Sequence, residues 1–196
     1  SCREAEVEDI LSDCLGCAPM FFDGGGVTLT GGEVCMQIDA VRDLLEKLGQ
    51  NGIHRAIETN GSIPRARELI PFVDEWIMDF KHYDDSKHRK WLGVGSSPVL
   101  ETLKKVTSEH PDVLIRIPLM PGFNDSEADA ATFADTLAVY AAKSSVRMEV
   151  LPYHEFGKAK WAQCGMPYTM QGRLAPEARG RLEAALKEKG IRVVRT

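Results

Sequence analysis

Apolar residues recur at helical spacing through "EAEVEDILSDCL", and the glycine- and proline-containing "GCAPMFFDGGG" predicts the end of that helix before the run "VTLT". The pattern then alternates between periods of 3.6 and 2. "QIDAVRDLLEKLGQNG" predicts an amphipathic helix closed by Gly52, "HRAIETNG" a strand, "IPRARELIPF" a short helix and "DEWIMDFK" a strand. "PVLETLKKVTSEH" is helical, "DVLIRIPLMPG" an apolar strand, "SEADAATFADTLAVYAAK" helical and "SVRMEVLPYH" a strand. A helix over "PEARGRLEAALKEKG" and a last strand, "IRVVRT", complete the pattern. Strands that alternate with helices imply parallel pairing through right-handed crossovers, hence an α/β fold with helices outside the sheet. Five central strands and a terminal one are too few to close an eight-stranded barrel, so an open, partial β/α barrel is expected. Nothing along the chain marks a linker, a repeat or a low-complexity tract, and residues 1–196 are expected to form a single domain.

Composition narrows the classes. The 196 residues are 43% hydrophobic with a formal net charge of −5, enough apolar material for a core and no basic stripe for a phosphate backbone. Nucleic acid is therefore not expected as a partner. No apolar run approaches the roughly 20 residues that span a bilayer, and no secretory signal is recognisable, so a cytoplasmic protein without a membrane partner is the expectation. The five cysteines, at 2, 14, 17, 35 and 164, are an odd number and are expected as thiols. Cys14 and Cys17 have metal-ligand spacing, but a single CxxC without a second pair is a weak signal, and two small apolar side chains on a helix are the plainer reading.

In a parallel α/β fold ligands gather at the C-terminal ends of the strands. Gly31, Gly32 and Glu33 follow "VTLT"; glycines there let backbone approach a ligand, and a carboxylate beside them suits an ammonium, although a tight turn with a surface glutamate needs the same residues. The following strands end in Glu58-Thr59-Asn60-Gly61 and Met78-Asp79-Phe80-Lys81. Side-chain alternation puts Glu58 with Asn60, and Asp79 with Lys81, on one face, where a simple Asp79–Lys81 pair is the plainer reading. Arg116 lies in the apolar run "VLIRIPLMPG" and needs an anion or an inward salt bridge. His154 ends the fifth strand and alone decides little. Together these strand ends gather carboxylates, an ammonium, a guanidinium, glycine backbone and an imidazole, a set suited to a zwitterionic ligand that carries a sugar and a base.

The segments "GGGVTLTGGE", "ETNG", "DFK" with "WLGV" after it, "IRIPLMPGFND" and "LPYHEFGKAKW" resemble, in this order, the motifs of the radical S-adenosylmethionine enzymes that activate glycyl radical enzymes, the pyruvate formate-lyase type foremost. The resemblance runs from about Glu6 to Val194. It implies a partial parallel barrel of radical-SAM type, S-adenosylmethionine and a [4Fe–4S] cluster as cofactors, and a flavodoxin- or ferredoxin-like reductant. The reaction it implies is release of a 5′-deoxyadenosyl radical that removes a Cα hydrogen from the glycine-bearing loop of a partner glycyl radical enzyme. By the same resemblance Gly31, Gly32 and Glu33 hold the methionyl ammonium, while Asp79, Lys81, Arg116 and His154 surround the carboxylate, ribose and adenine. Glu58, Thr59 and Asp79 match a monovalent-cation site, with Glu58 where the family has Asp, and Asn124 is a weaker match in "PGFND".

One departure follows. The family holds its cluster with CxxxCxxC after the first barrel strand, and this sequence has none. Cys2, Cys14 and Cys17 stand at other spacings, so the cluster ligands are expected upstream of this chain. The first strand and cluster loop are expected to be missing, the chain alone to be inactive, and the exposed sheet edge to be open to self-association. Two other classes are weighed: a non-catalytic module that docks on a glycyl radical enzyme loop, and an α/β hydrolase or isomerase with Asp79 and His154 as an acid–base pair.

Overall fold

The computed structural model describes residues 3–142, 145–170 and 172–195. Six strands, β1 (Gly26–Leu29), β2 (His54–Thr59), β3 (Glu75–Asp79), β4 (Val113–Leu119), β5 (Val146–Pro152) and β6 (Val193–Val194), lie side by side in chain order. Every pairing is parallel. The sheet does not close: β1 and β6 are its edges. A cleft of about 410 Å³ opens beside β1, lined by Thr28, Leu29, Thr30 and the loop Gly31–Gly32–Glu33. An open, partial parallel barrel is thus the observed architecture.

Residue alternation explains why one face carries the helices. Ile57, Trp76, Met78, Val113, Ile115, Ile117, Met148 and Val150 point outward into the main core, against α2 (Ile38–Gln50), α4 (Ser97–Glu109), α5 (Glu127–Ala138) and α7 (Ala178–Glu188). Helix α1 (Val7–Cys17) covers α2 through a smaller cluster of Val7, Ile10, Leu11 and Cys14 with Leu44, Leu48 and Ile53. The opposite, inner face keeps only a thin apolar layer of Ala56, Ile77 and Leu114, joined by Val194 of the last strand. Polar residues flank that layer toward both strand ends.

Local chemistry sets the boundaries. Helix α2 gives way at Gly52, in the left-handed region with φ +70°. Ser126 and Asp129 form a reciprocal capping box at the start of α5. Gly26 is required by a close approach, because a Cβ there would collide with the carbonyl oxygen of His54 on the neighbouring strand. Three helical elements depart from the sequence expectation. Residues Pro64–Phe72 form a 3₁₀ segment, which suits a stretch with Pro at its first position and again at Pro71. Helix α3 (Asp85–Leu92) was not expected, since "DSKHRKWL" has no apolar stripe; it is held by its ends, with Asp84 accepting from the Lys87 N–H and Gly93 at φ +77°. A further short helix, α6 (Lys158–Gln163), follows β5.

Candidate functional site

The inner face beyond the apolar layer, at the C-terminal ends of the strands, carries one connected polar group. Its backbone register places Asp79 opposite Arg116, and Arg116 opposite Glu149. The Arg116 guanidinium donates from Nη1 to Glu58 Oε1 at 2.7 Å, reaching past β3, and from Nε to Glu149 Oε2 at 3.2 Å. Thr30, just past β1, donates to the other oxygen of Glu58 at 3.1 Å. Hydrogen bonds therefore run from β1 through β2 and β4 to β5, and β3 adds Lys81 Nζ on Asp79 Oδ2 at 3.0 Å. Burial works against the charge on Arg116, but hydrogen bonds and attraction from Glu58 and Glu149 outweigh it and raise the guanidinium above its usual pKa.

A second set of bonds fixes the loops above this group. Glu33 is the N-cap of the 3₁₀ turn Val34–Gln37. Its Oε1 accepts from the Cys35 N–H at 3.0 Å and the Thr59 hydroxyl at 2.6 Å, and its Oε2 accepts from the Asn60 N–H at 2.9 Å. Thr59 in turn accepts from the Gly61 N–H at 3.1 Å and from the buried Cys35 thiol at 3.6 Å. Burial pushes that thiol up to about 12, with the Thr59 hydrogen bond opposing the shift. The carboxylate of Glu33 thus ties the loop after β1 to the loop after β2. Gly31 and Gly32 remain exposed on this anchored loop, Gly31 at φ +144°, and a Cβ at either position would meet no protein atom within 4 Å. At Gly32 nothing in the chain itself demands glycine, so the open backbone is available to a ligand.

Sequence-predicted residues therefore fall into three groups. Glu58, Asp79, Lys81 and Arg116 come together on the inner face, and both plainer readings, the Asp79–Lys81 pair and the inward salt bridge of Arg116, are what the geometry contains. Gly31, Gly32 and Glu33 lie at the rim, with the Glu33 side chain already bonded within the protein. His154 stands apart: it is exposed, caps the turn Glu155–Gly157 and stacks on Phe156 at 4.4 Å between ring centroids. Of the residues matched to a cation site, Glu58 and Thr59 are bonded within the protein. Thr59 faces the opposite side of the sheet, toward Glu33, and Glu58 is engaged by Arg116 and Thr30. Asn124 is buried and structural, its amide donating to the carbonyls of Lys81 and Pro118 at 2.9 and 2.8 Å. Sequence reasoning missed Glu149, only 2% exposed, although it bears the same signal as Arg116, a charge inside an apolar strand.

The residues present fit one implied cofactor and not the other. Glu58, Asp79, Arg116 and Lys81 are all partly exposed and together offer acceptors and donors of both charges, as a zwitterionic nucleoside needs. For an iron–sulfur cluster, no group of three His, Cys, Asp or Glu among the described residues stands close enough to hold a metal. Cys14 and Cys17 lie on α1 as free thiols, and Cys2 lies outside the described residues. No described helix is long and apolar enough to cross a membrane.

Comparison with known proteins places the chain in a family. The family model described as the Radical SAM superfamily matches residues 3–134. The (2S)-3-sulfopropanediol sulfolyase activating enzyme of Bilophila wadsworthia is 38% identical over 159 residues, which cover 79% of this chain and 52% of that protein. The chain thus spans about half the length of that relative. The pyruvate formate-lyase 1-activating enzyme of Escherichia coli K12 is 31% identical over 199 aligned residues, 98% of this chain and 80% of that protein. Among solved structures, a domain of pyruvate-formate lyase-activating enzyme from Bacteroides vulgatus superposes with a TM-score of 0.69 at 25% identity, covering 86% of this chain and 97% of the domain.

Proposed function

The chain belongs to the radical SAM superfamily, and from that premise we propose that it is the S-adenosylmethionine-binding and substrate-facing part of an enzyme that activates a glycyl radical enzyme. The observation that carries this reading is the hydrogen-bonded series Thr30–Glu58–Arg116–Glu149 beside Asp79–Lys81, set at the strand ends beneath the open backbone of Gly31 and Gly32. Relatives named as activating enzymes for pyruvate formate-lyase, choline trimethylamine-lyase and sulfopropanediol sulfolyase support the same class of partner.

In this reading Arg116 and Lys81 hold the ligand's carboxylate end, Glu58 and Asp79 accept from its ammonium and hydroxyl groups, and the backbone at Gly31 and Gly32 lies along the methionyl group. The bound cofactor supplies the 5′-deoxyadenosyl group that takes a Cα hydrogen from the partner's glycine, and a flavodoxin- or ferredoxin-like protein is the reductant class. The chain's own task is orientation of the ligand and exclusion of water. No step is assigned to a cluster, because the described residues do not hold one.

Isothermal titration of the chain with S-adenosylmethionine tests the reading. One site per chain is expected, weakened at least tenfold by Glu58→Gln, where one charge-assisted hydrogen bond is worth about 1.5–3 kcal/mol. A folded chain that shows no binding would sink it. Anaerobic iron–sulfide reconstitution with electron paramagnetic resonance addresses the metal separately. A [4Fe–4S]⁺ signal from this chain that moves on adding S-adenosylmethionine would assign ligands to Cys2, Cys14 and Cys17; its absence leaves the cluster ligands to another segment. Binding of a glycyl radical enzyme without any hydrogen abstraction from a reconstituted, cluster-bearing protein would instead favour the docking-module reading.

A further inference from the structure

A small polar cavity of about 140 Å³ adjoins the charged group, lined by Asn60, Ser62, Asp79, Lys81 and His88 over an apolar floor that includes Leu92 and Val99. It falls below the roughly 300–1,000 Å³ of a whole-ligand site, so it suits one polar portion of a larger ligand. His88 reaches it from α3, the helix held by its caps. The residue is only 4% exposed, and its Nδ1 lies 2.6 Å from the carbonyl oxygen of Val94. A carbonyl oxygen only accepts, so Nδ1 must carry the hydrogen; in the neutral ring Nε2 is then a bare lone pair. Among the described residues no donor satisfies that nitrogen.

The surrounding groups define what would. Asp79 receives Lys81 on Oδ2, and Asn60 uses its Oδ1 to accept from the Ser62 N–H at 2.9 Å. The residues that line the cavity thus offer a second carboxylate oxygen and an imidazole lone pair as acceptors, beside an ammonium, an amide NH₂ and a hydroxyl as donors. A group that donates and accepts at once matches such a mixture, whereas an ammonium or a carboxylate would leave half of it unpaired. Hydroxyls are that group.

We propose that His88 is a further ligand-binding residue of this site, its Nε2 accepting a hydrogen bond from a hydroxyl of the bound nucleoside's sugar. The proposal rests on the functional reading above and adds to it a residue and a hydroxyl specificity. The competing role is purely structural, a ring that staples α3 to Val94. Titration of the wild-type chain and of His88→Ala with S-adenosylmethionine and with its 2′-deoxy and 3′-deoxy analogues separates the two. Wild type is expected to lose about tenfold in affinity when one of the two hydroxyls is removed. His88→Ala is expected to bind S-adenosylmethionine about tenfold more weakly and no longer to distinguish that analogue. Equal discrimination by both proteins would overturn the proposal and leave the functional reading standing, while no binding of S-adenosylmethionine to wild type would overturn both. Should His88→Ala not fold, the nitrogen-15 resonance of His88 Nε2 in the wild-type chain replaces it. A shift is expected with S-adenosylmethionine and not with the analogue lacking the contacted hydroxyl; identical spectra with both ligands would refute the contact.

Discussion

Two arginines on the inner face of the sheet each sit between two carboxylates, yet they occupy opposite ends of it. Arg147 turns back toward the starts of the strands, where its Nη2 meets Glu75 at 2.9 Å and Asp112 at 2.5 Å. Arg116 stands at the other end with Glu58 and Glu149. Between them lies the thin layer of Ala56, Ile77 and Leu114. The difference is in what surrounds each clamp. Both partners of Arg147 keep contact with water, whereas Glu149 is 2% exposed and depends on its protein partners for its charge. Arg116 also borders a second ion pair, Asp79–Lys81, and a loop of open glycine backbone. A clamp at the strand starts ties β3, β4 and β5 together; the same clamp at the strand ends presents a surface of mixed charge to whatever binds there.

The largest effect that would break this contrast belongs to Arg116→Leu. Removing the guanidinium leaves Glu149 buried without its cationic partner, and a loss of about 3–5 kcal/mol is expected in denaturant unfolding, together with loss of S-adenosylmethionine binding. A variant as stable as wild type would mean that Glu149 is satisfied by other contacts. Thr59→Val comes next, costing about 1–3 kcal/mol because Glu33 loses the 2.6 Å hydrogen bond that joins the two rim loops. Affinity for the ligand is expected to fall with it, as Gly31 and Gly32 lose their fixed position; calorimetric titration of the variant checks this. Arg147→Leu is expected to cost less than Arg116→Leu, because both carboxylates it leaves behind reach water, and to leave ligand affinity unchanged. A fall in affinity there would abolish the distinction between the two ends.

The smallest effect at neutral pH concerns Cys35, beneath the rim. Its folded pKa of about 12 lies above the ordinary thiol value of 9.0, raised chiefly by burial. The sign follows directly: stability is complete below 9, where both states keep the proton, and declines as pH rises from 9 toward 12, where only the unfolded chain gives it up. Urea midpoints across that window should fall for wild type and flatten for Cys35→Ala. At pH 8 iodoacetamide should modify the exposed Cys164 and spare Cys35. Rapid labelling of Cys35 would show that the rim loops open on their own.

The periodicity of the chain was enough for the strands, because each outward-facing residue enters one core and the alternation repeats with every strand. Helix α3 escaped that reading since caps and a single buried histidine, not a stripe, hold it in place. Arg116 could be singled out as a charge in an apolar run; the same logic applied to Glu149 would have found its partner. The role of the Glu33 side chain could not be read, because the Thr59 hydroxyl and the Asn60 N–H approach it only after β1 and β2 have paired. His154 was placed by motif order, which locates a residue along a strand end but says nothing of whether its ring turns inward. The alternation that puts Glu58 with Asn60 on one face also sends the adjacent Thr59 to the opposite face of the strand, which motif order alone overlooks.

The strict chain-order arrangement of the strands also bears on how this protein is made. Each strand lies beside the one synthesised just before it, so the sheet can be laid down as residues leave the ribosome, with no strand waiting to be threaded between two others. Along the chain Glu58 on β2 precedes Arg116 on β4, and Glu149 on β5 follows it. A sheet laid down in that order would bring in its most buried carboxylate, Glu149, only after the counterion.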